Sequence, residues 1–225
     1  MSLVVVGAHA LDPELMAGPL AAVASGAGWP VALVHLTLGE RGHPEKPPEV
    51  FGPQLREESI RAARALGVEA VWSGASAPLR GADVFDWLVA ELDQRRPTIV
   101  VTHWSGSWHA SHREANYVVR RAMAALATRP TLAFGENCED LVGFVPTHLI
   151  PVASVRERWL EAANEYELFR RSVPGSGLDA AIPYWAYYTA ALRVHGLHFD
   201  TGQAQVFMSE GSLPQELGFR PIPGA

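Results

Sequence analysis

His9 and Asp12 stand three residues apart near the start of the chain, and His103, His109 and His112 fall within ten residues of one another. Imidazole nitrogens and carboxylate oxygens are the donors of a catalytic zinc site, which takes three of them and leaves one position for water. His9, Asp12 and one His of the later group would complete such a set. The chain has a single cysteine, Cys138, which excludes a disulfide framework and a Cys-rich zinc site. Blander explanations compete. Asp12-Pro13-Glu14 also reads as a helix start, with Asp12 as N-cap. His9 also reads as a histidine packed in a turn. His35, His43, His148, His195 and His198 are not assigned to a metal.

Glu40 and Arg41 follow a β-rich run and suit a substrate's phosphate or carboxylate, or else pair to tie their loop down. Trp104 and Trp108 lie inside the His-rich segment, where an aromatic ring can contact substrate. Tyr184, Trp185, Tyr187 and Tyr188 could join them in a wall that stacks on a sugar, but read mainly as packing of a C-terminal helix. Other chemistries lack their motifs. There is no G-x-S-x-G elbow and no phosphate loop, and the only lysine, Lys46, sits among prolines. Gly26-Ala27-Gly28 precedes a strand and lacks the third glycine of a dinucleotide site. Cys138 has no histidine beside it to make a thiolate and reads as inert.

These residues need a scaffold. The chain has 225 residues with 48% hydrophobic and 19% charged, enough for one domain spanning 1–225. Mean hydropathy is +0.04. Net charge is −6, which opposes non-specific nucleic-acid binding. No run reaches the ~20 apolar residues of a membrane helix, and the first residues lack a basic leader. The expectation is a soluble, cytoplasmic protein.

Strands are expected at Leu3–Gly7, Val31–Thr37, Ala70–Trp72, Ile99–Thr102, Thr131–Phe134 and Gln205–Met208. Helices are expected from Asp12 to Ser25 and over Gln54–Leu66, Asp83–Arg95, Ser154–Arg171 and Pro183–Val194, with another opening at a Ser111/Glu114 capping box. Leu38–Pro53 reads as a loop bordering the pocket. Strands alternating with helices imply an α/β fold with a mostly parallel sheet. In such sheets the site lies beyond the carboxyl ends of the strands, where His9, Glu40 and His103 onward fall.

The motifs resemble those of the PIG-L/LmbE-like zinc-dependent deacetylases. The family's A-H-P-D-D-E stands as Ala8-His9-Ala10-Leu11-Asp12-Pro13 followed by Glu14. Its L-T-x-G-E-x-G stands as Leu36 to Gly42, and its H-P-D-H as His109-Ala110-Ser111-His112. Glu136 to Asp140, Phe144 to Thr147 and Ala204 to Phe207 continue the match in order. The resemblance implies a Rossmann-like three-layer αβα fold and zinc held by His9, Asp12 and His112. It also implies that His109 steadies the tetrahedral intermediate. The family's usual general-base Asp falls on Leu11, and the Asp of its H-P-D-H on Ser111. No counterpart of the acid that follows strand three stands in Ser73–Leu79. Glu14 is then the nearest replacement base, unless it only favours the helix N-terminus.

The implied activity is hydrolysis of an N-acetyl group from a small-molecule amino-sugar conjugate, with no nucleic-acid or membrane partner. A homo-oligomer is compatible with it. With leucine at position 11, a weakly active or non-catalytic metal- or sugar-binding member is the alternative. An unrelated doubly wound enzyme, such as a glycosyltransferase, is a third reading.

Overall fold

The computed structural model describes residues 1–75, 79–176 and 182–224. Five short apolar runs form the parallel part of the sheet: β1 (Leu3–Gly7), β2 (Val31–His35), β3 (Glu69–Trp72), β4 (Ile99–Thr102) and β5 (Thr131–Gly135). Three more, β6 (His148–Pro151), β7 (Ala204–Ser209) and β8 (Arg220–Pro221), add an antiparallel margin. The order is β3-β2-β1-β4-β5-β7-β6-β8. β1 pairs with β2 from Leu3↔Val31 and with β4 from Leu3↔Ile99. The chain winds outward from β1 in both directions, so a crevice opens at the carboxyl end between β1 and β4.

β1 is buried on both faces, as a central parallel strand must be. Leu3 and Val5 join one core and Val4 and Val6 the other. The first core is covered by α1 (Asp12–Gly26), α2 (Pro48–Leu66), α5 (Arg156–Ala163), α6 (Glu167–Arg171) and α7 (Tyr184–His198). The second is covered by α3 (Ala82–Arg95) and α4 (Ala110–Ala125). This is the expected three-layer arrangement. No described helix is long and apolar enough to cross a membrane.

The differences from expectation have local causes. β2 stops at His35 because Leu36 and Thr37 turn to hydrogen-bond the carbonyls of Gly7 and Ala8. α2 starts at Pro48 rather than Gln54, since proline at the first position and Glu49 in the first turn favour an early start. The segment Ser154–Arg171 is not one helix. A 3₁₀ turn at Ala153–Val155 precedes α5, and the chain breaks before α6, where Tyr166 turns inward to Glu14. The Ser111/Glu114 capping box is absent. α4 begins at Ala110 behind His109, and Glu114 instead accepts the Leu79 N–H at 3.0 Å. Asp12 is not an N-cap. It is the first helical residue, preceded by Leu11 at φ 77°. Part of Ser73–Leu79, where no acidic counterpart was expected, lies outside the described residues.

Candidate metal centre

β1 delivers the chain to the crevice, and Gly7 lets α1 start there. A Cβ on Gly7 would sit 2.5 Å from the Pro13 ring, so only glycine allows so tight a strand-to-helix turn. The turn closes on itself: Asp12 Oδ2 accepts the His9 N–H at 2.8 Å. From the neighbouring strand, Gly39 at φ 75° passes over His9, where a Cβ would meet the His9 Cβ at 2.9 Å. Glu40 and Arg41 are thereby carried to the rim of the same cleft.

His9 Nδ1 lies 3.2 Å from Asp12 Oδ2, and His112 Nε2 lies 3.6 Å from the same oxygen. Ligands bonded to a tetrahedral zinc at 2.0–2.2 Å stand about 3.4 Å apart. Both separations fit. Two triplets bring one ligand atom each to within 4.8 Å of one another: His9, His109 and His112 through ring nitrogens, and Asp12, His103 and His112 through a carboxylate oxygen and two ring nitrogens. His109 Nδ1 is buried with no protein partner, as expected of a ring that faces a ligand. Two imidazoles and a carboxylate form the donor set of an open zinc site. The residues present therefore fit a small divalent cation.

Asp140, which follows β5, organises the cluster from behind. Its Oδ1 faces His112 Nδ1 at 2.8 Å and its Oδ2 faces His103 Nδ1 at 2.7 Å. Burial opposes its charge, but His103 and His112 outweigh this and hold its pKa down to about 2. An ionised carboxylate only accepts, so both rings donate through Nδ1 and present Nε2 forward. His112 Nε2 faces Asp12. His103 Nε2 accepts the Ala8 N–H at 3.1 Å and lies 3.3 Å from Asp12. Burial lowers the pKa of both His112 and His109, keeping them neutral.

His9, Asp12, His109, His112, Glu40 and Arg41 all line one cleft of about 460 Å³. Glu14 does not. It is fully buried, its Oε1 accepts the Tyr166 O–H at 2.7 Å, and it lies 3.7 Å from His35 Nε2. Burial raises its pKa. Trp104 and Trp108 are likewise outside the cleft. The Trp104 indole donates to the Val142 carbonyl at 2.8 Å, and Trp108 is 64% exposed. Tyr184, read from sequence as packing, lines the cleft instead. Cys138 is inert, its thiol pushed up to about 12 by burial.

Two carboxylates stand here without having been assigned, Glu139 and Asp140. Glu139 Oε2 is 3.8 Å from His112 Nε2, and burial raises its pKa. The signal was available, because both follow the carboxyl end of β5, as His9 follows β1 and His103 follows β4. Leu11 lines the cleft where the resemblance places an acid.

Solved structures share this fold. GalB, the 4-carboxy-2-hydroxymuconate hydratase from Pseudomonas putida, aligns with TM-score 0.80 at 20% identity, covering 95% of this chain and 98% of its own. The conserved protein TT1542 from Thermus thermophilus aligns with TM-score 0.76 at 23% identity, covering 95% and 96%. The N,N'-diacetylchitobiose deacetylase from Pyrococcus horikoshii aligns with TM-score 0.76 at 16% identity, covering 92% and 83%. At these identities the likeness speaks to the fold. A comparison with curated proteins finds no significant match. The PIG-L family model, described as GlcNAc-PI de-N-acetylase, matches residues 4–123. That span covers more than half of the chain and carries His9, Asp12, His109 and His112, so the protein belongs to the PIG-L family.

Proposed function

We propose that this protein is a zinc-dependent amide hydrolase that releases an acyl group, acetyl in the simplest case, from an amino-sugar conjugate. The observation that carries the reading is the convergence of His9 and His112 on Asp12, with Asp140 fixing His112 from behind. Bound zinc would polarise the amide carbonyl and bring water's pKa to about 7.

The chain's own residues divide the remaining work. His9 Nδ1, Asp12 Oδ2 and His112 Nε2 would hold the ion. Glu139, the nearest cleft carboxylate outside that set, takes a proton from the attacking water. His109 stays neutral and hydrogen-bonds the oxygen that gains charge. The proton on Glu139 then passes to the departing nitrogen, so the amide C–N bond breaks into a carboxylate and an amine. Leu11 takes no part in proton transfer. Arg41 and Glu40 contact the polar arm of the substrate.

A second reading has one observation in its favour: Arg41 faces a cleft whose base position holds leucine. Such a site suits addition of water to a double bond in a carboxylated substrate, the activity for which GalB is described.

Zinc-loaded protein incubated with N-acetylglucosamine conjugates and with unsaturated tricarboxylates separates the two. Acetate release from the first, lost on chelation and restored by zinc, is expected. Zinc-dependent loss of the double bond with no acetate would overturn the hydrolase in favour of the hydratase. Inertness toward both, with zinc bound, would leave a binding protein.

A further inference from the structure

We propose that the acyl arm of the substrate is an unbranched aliphatic chain longer than acetyl, laid along an apolar wall beside the metal centre. The inference rests on the amide-hydrolase reading and deepens it to a substrate class.

The cleft encloses about 460 Å³. That is the scale of a site for a whole small molecule, with both arms of an amide inside it. Its lining divides by element. The loop after β2, the start of α4 and the loop after β5 contribute polar groups. The turn into α1 contributes Leu11, the helices on the other core contribute Leu15, Leu55 and Leu168, and the entry to α7 adds Ile182 and Tyr184. Leu11 and Leu15 are one helical turn apart, joined by the Leu15 N–H to the Leu11 carbonyl at 3.0 Å. Leu11 also adjoins Asp12 in the chain, so the apolar lining reaches the metal centre.

Leu11 adds an independent observation. Its φ is 77°, a conformation that side chains other than Asn and Asp seldom hold. It is 2% exposed and faces the cleft. A residue held in an unfavoured conformation at a site points to function. The residue so held, next to a metal ligand, is a leucine rather than a polar side chain.

An amide bound at the metal has two arms. The amine arm, an amino sugar, is rich in hydroxyls and needs the polar partners that Glu40 and Arg41 supply. The acyl arm is the one that gains from leucines. Each methylene buried there is worth about a fourfold gain in binding. Hydrolysis follows the balance already given, water adding to the acyl carbon and a proton to the nitrogen.

The test uses zinc-loaded protein and N-acetyl-, N-butyryl-, N-hexanoyl- and N-octanoylglucosamine. In parallel, the Kd of N-alkylglucosamines, which cannot be hydrolysed, is measured by calorimetry. Both kcat/KM and affinity are expected to climb about fourfold per methylene until the wall is filled. Leu168→Ser is expected to flatten both slopes. Acetyl turnover with flat chain-length dependence in both series would overturn the inference and leave the hydrolase standing. Affinity that climbs while no amide is cleaved would keep the aliphatic subsite and overturn the hydrolase.

Discussion

Asp140 holds His112 by its Nδ1 at 2.8 Å, and that single contact decides which nitrogen of His112 faces Asp12. A carboxylate behind a metal-bound imidazole fixes its tautomer and raises its basicity. Asp140→Asn is therefore expected to weaken zinc affinity by about 10- to 100-fold while the cleft stays intact. Competition with a zinc chelator reads this directly. Unchanged affinity would mean that His112 does not need its partner.

The same residue sets an acid limit on stability. Its carboxyl, near 3.9 when unfolded, is held down to about 2 when folded. A depressed pKa stabilises the fold above the unfolded value, and that contribution disappears as pH falls through the folded value. Wild type should lose about 2 kcal/mol between pH 4 and pH 2 from this group. Asp140→Asn should not show that loss. Denaturant titrations at both pH values check the difference.

Glu139→Gln tests the proton carrier. The variant should keep one zinc and lose about 10²- to 10⁴-fold in kcat. Because burial raises the Glu139 pKa, wild-type activity should fall on the acid side at a pH above the usual carboxylate range. Full activity in the variant would pass the role to Glu40 or to the ion alone. Glu14→Gln should leave kcat unchanged, since Glu14 bonds Tyr166 away from the cleft.

Leu11→Asp restores a carboxylate where the resemblance places one. Losing the buried leucine costs about 2 kcal/mol, and relief of the left-handed conformation returns about 1–2 kcal/mol. A carboxylate at a position only 2% exposed also loses hydration, so stability should fall by roughly 2 kcal/mol or more, and hydrolysis of an N-acetyl substrate should speed up. A variant that folds, binds zinc and is slower would show that leucine serves this reaction better than an acid.

The sheet was legible because β1, β2, β4 and β5 are short apolar runs that nothing but a buried parallel strand explains. β6 was not, since His148–Pro151 begins with histidine and ends with proline, and its pairing with β7 comes from far along the chain. Of the centre, His9, Asp12 and His112 were readable from residue type and position after strands. Asp140 and Glu139 were not singled out because their partners are brought to them only by the fold. Glu14 misled because sequence proximity to Asp12 said nothing of direction. One turn of α1 points it into the core at Tyr166. Trp104 and Trp108 misled in the same way, being next to the histidines in the chain while facing Val142 and solvent.

Anomalous diffraction at the zinc edge, on crystals grown with one equivalent of zinc, locates the ion itself. One peak per chain is expected at about 2.0–2.2 Å from His9 Nδ1, Asp12 Oδ2 and His112 Nε2, abolished in His9→Ala. No peak among those three atoms, or a peak that survives His9→Ala unchanged, would contradict a metal centre at these residues.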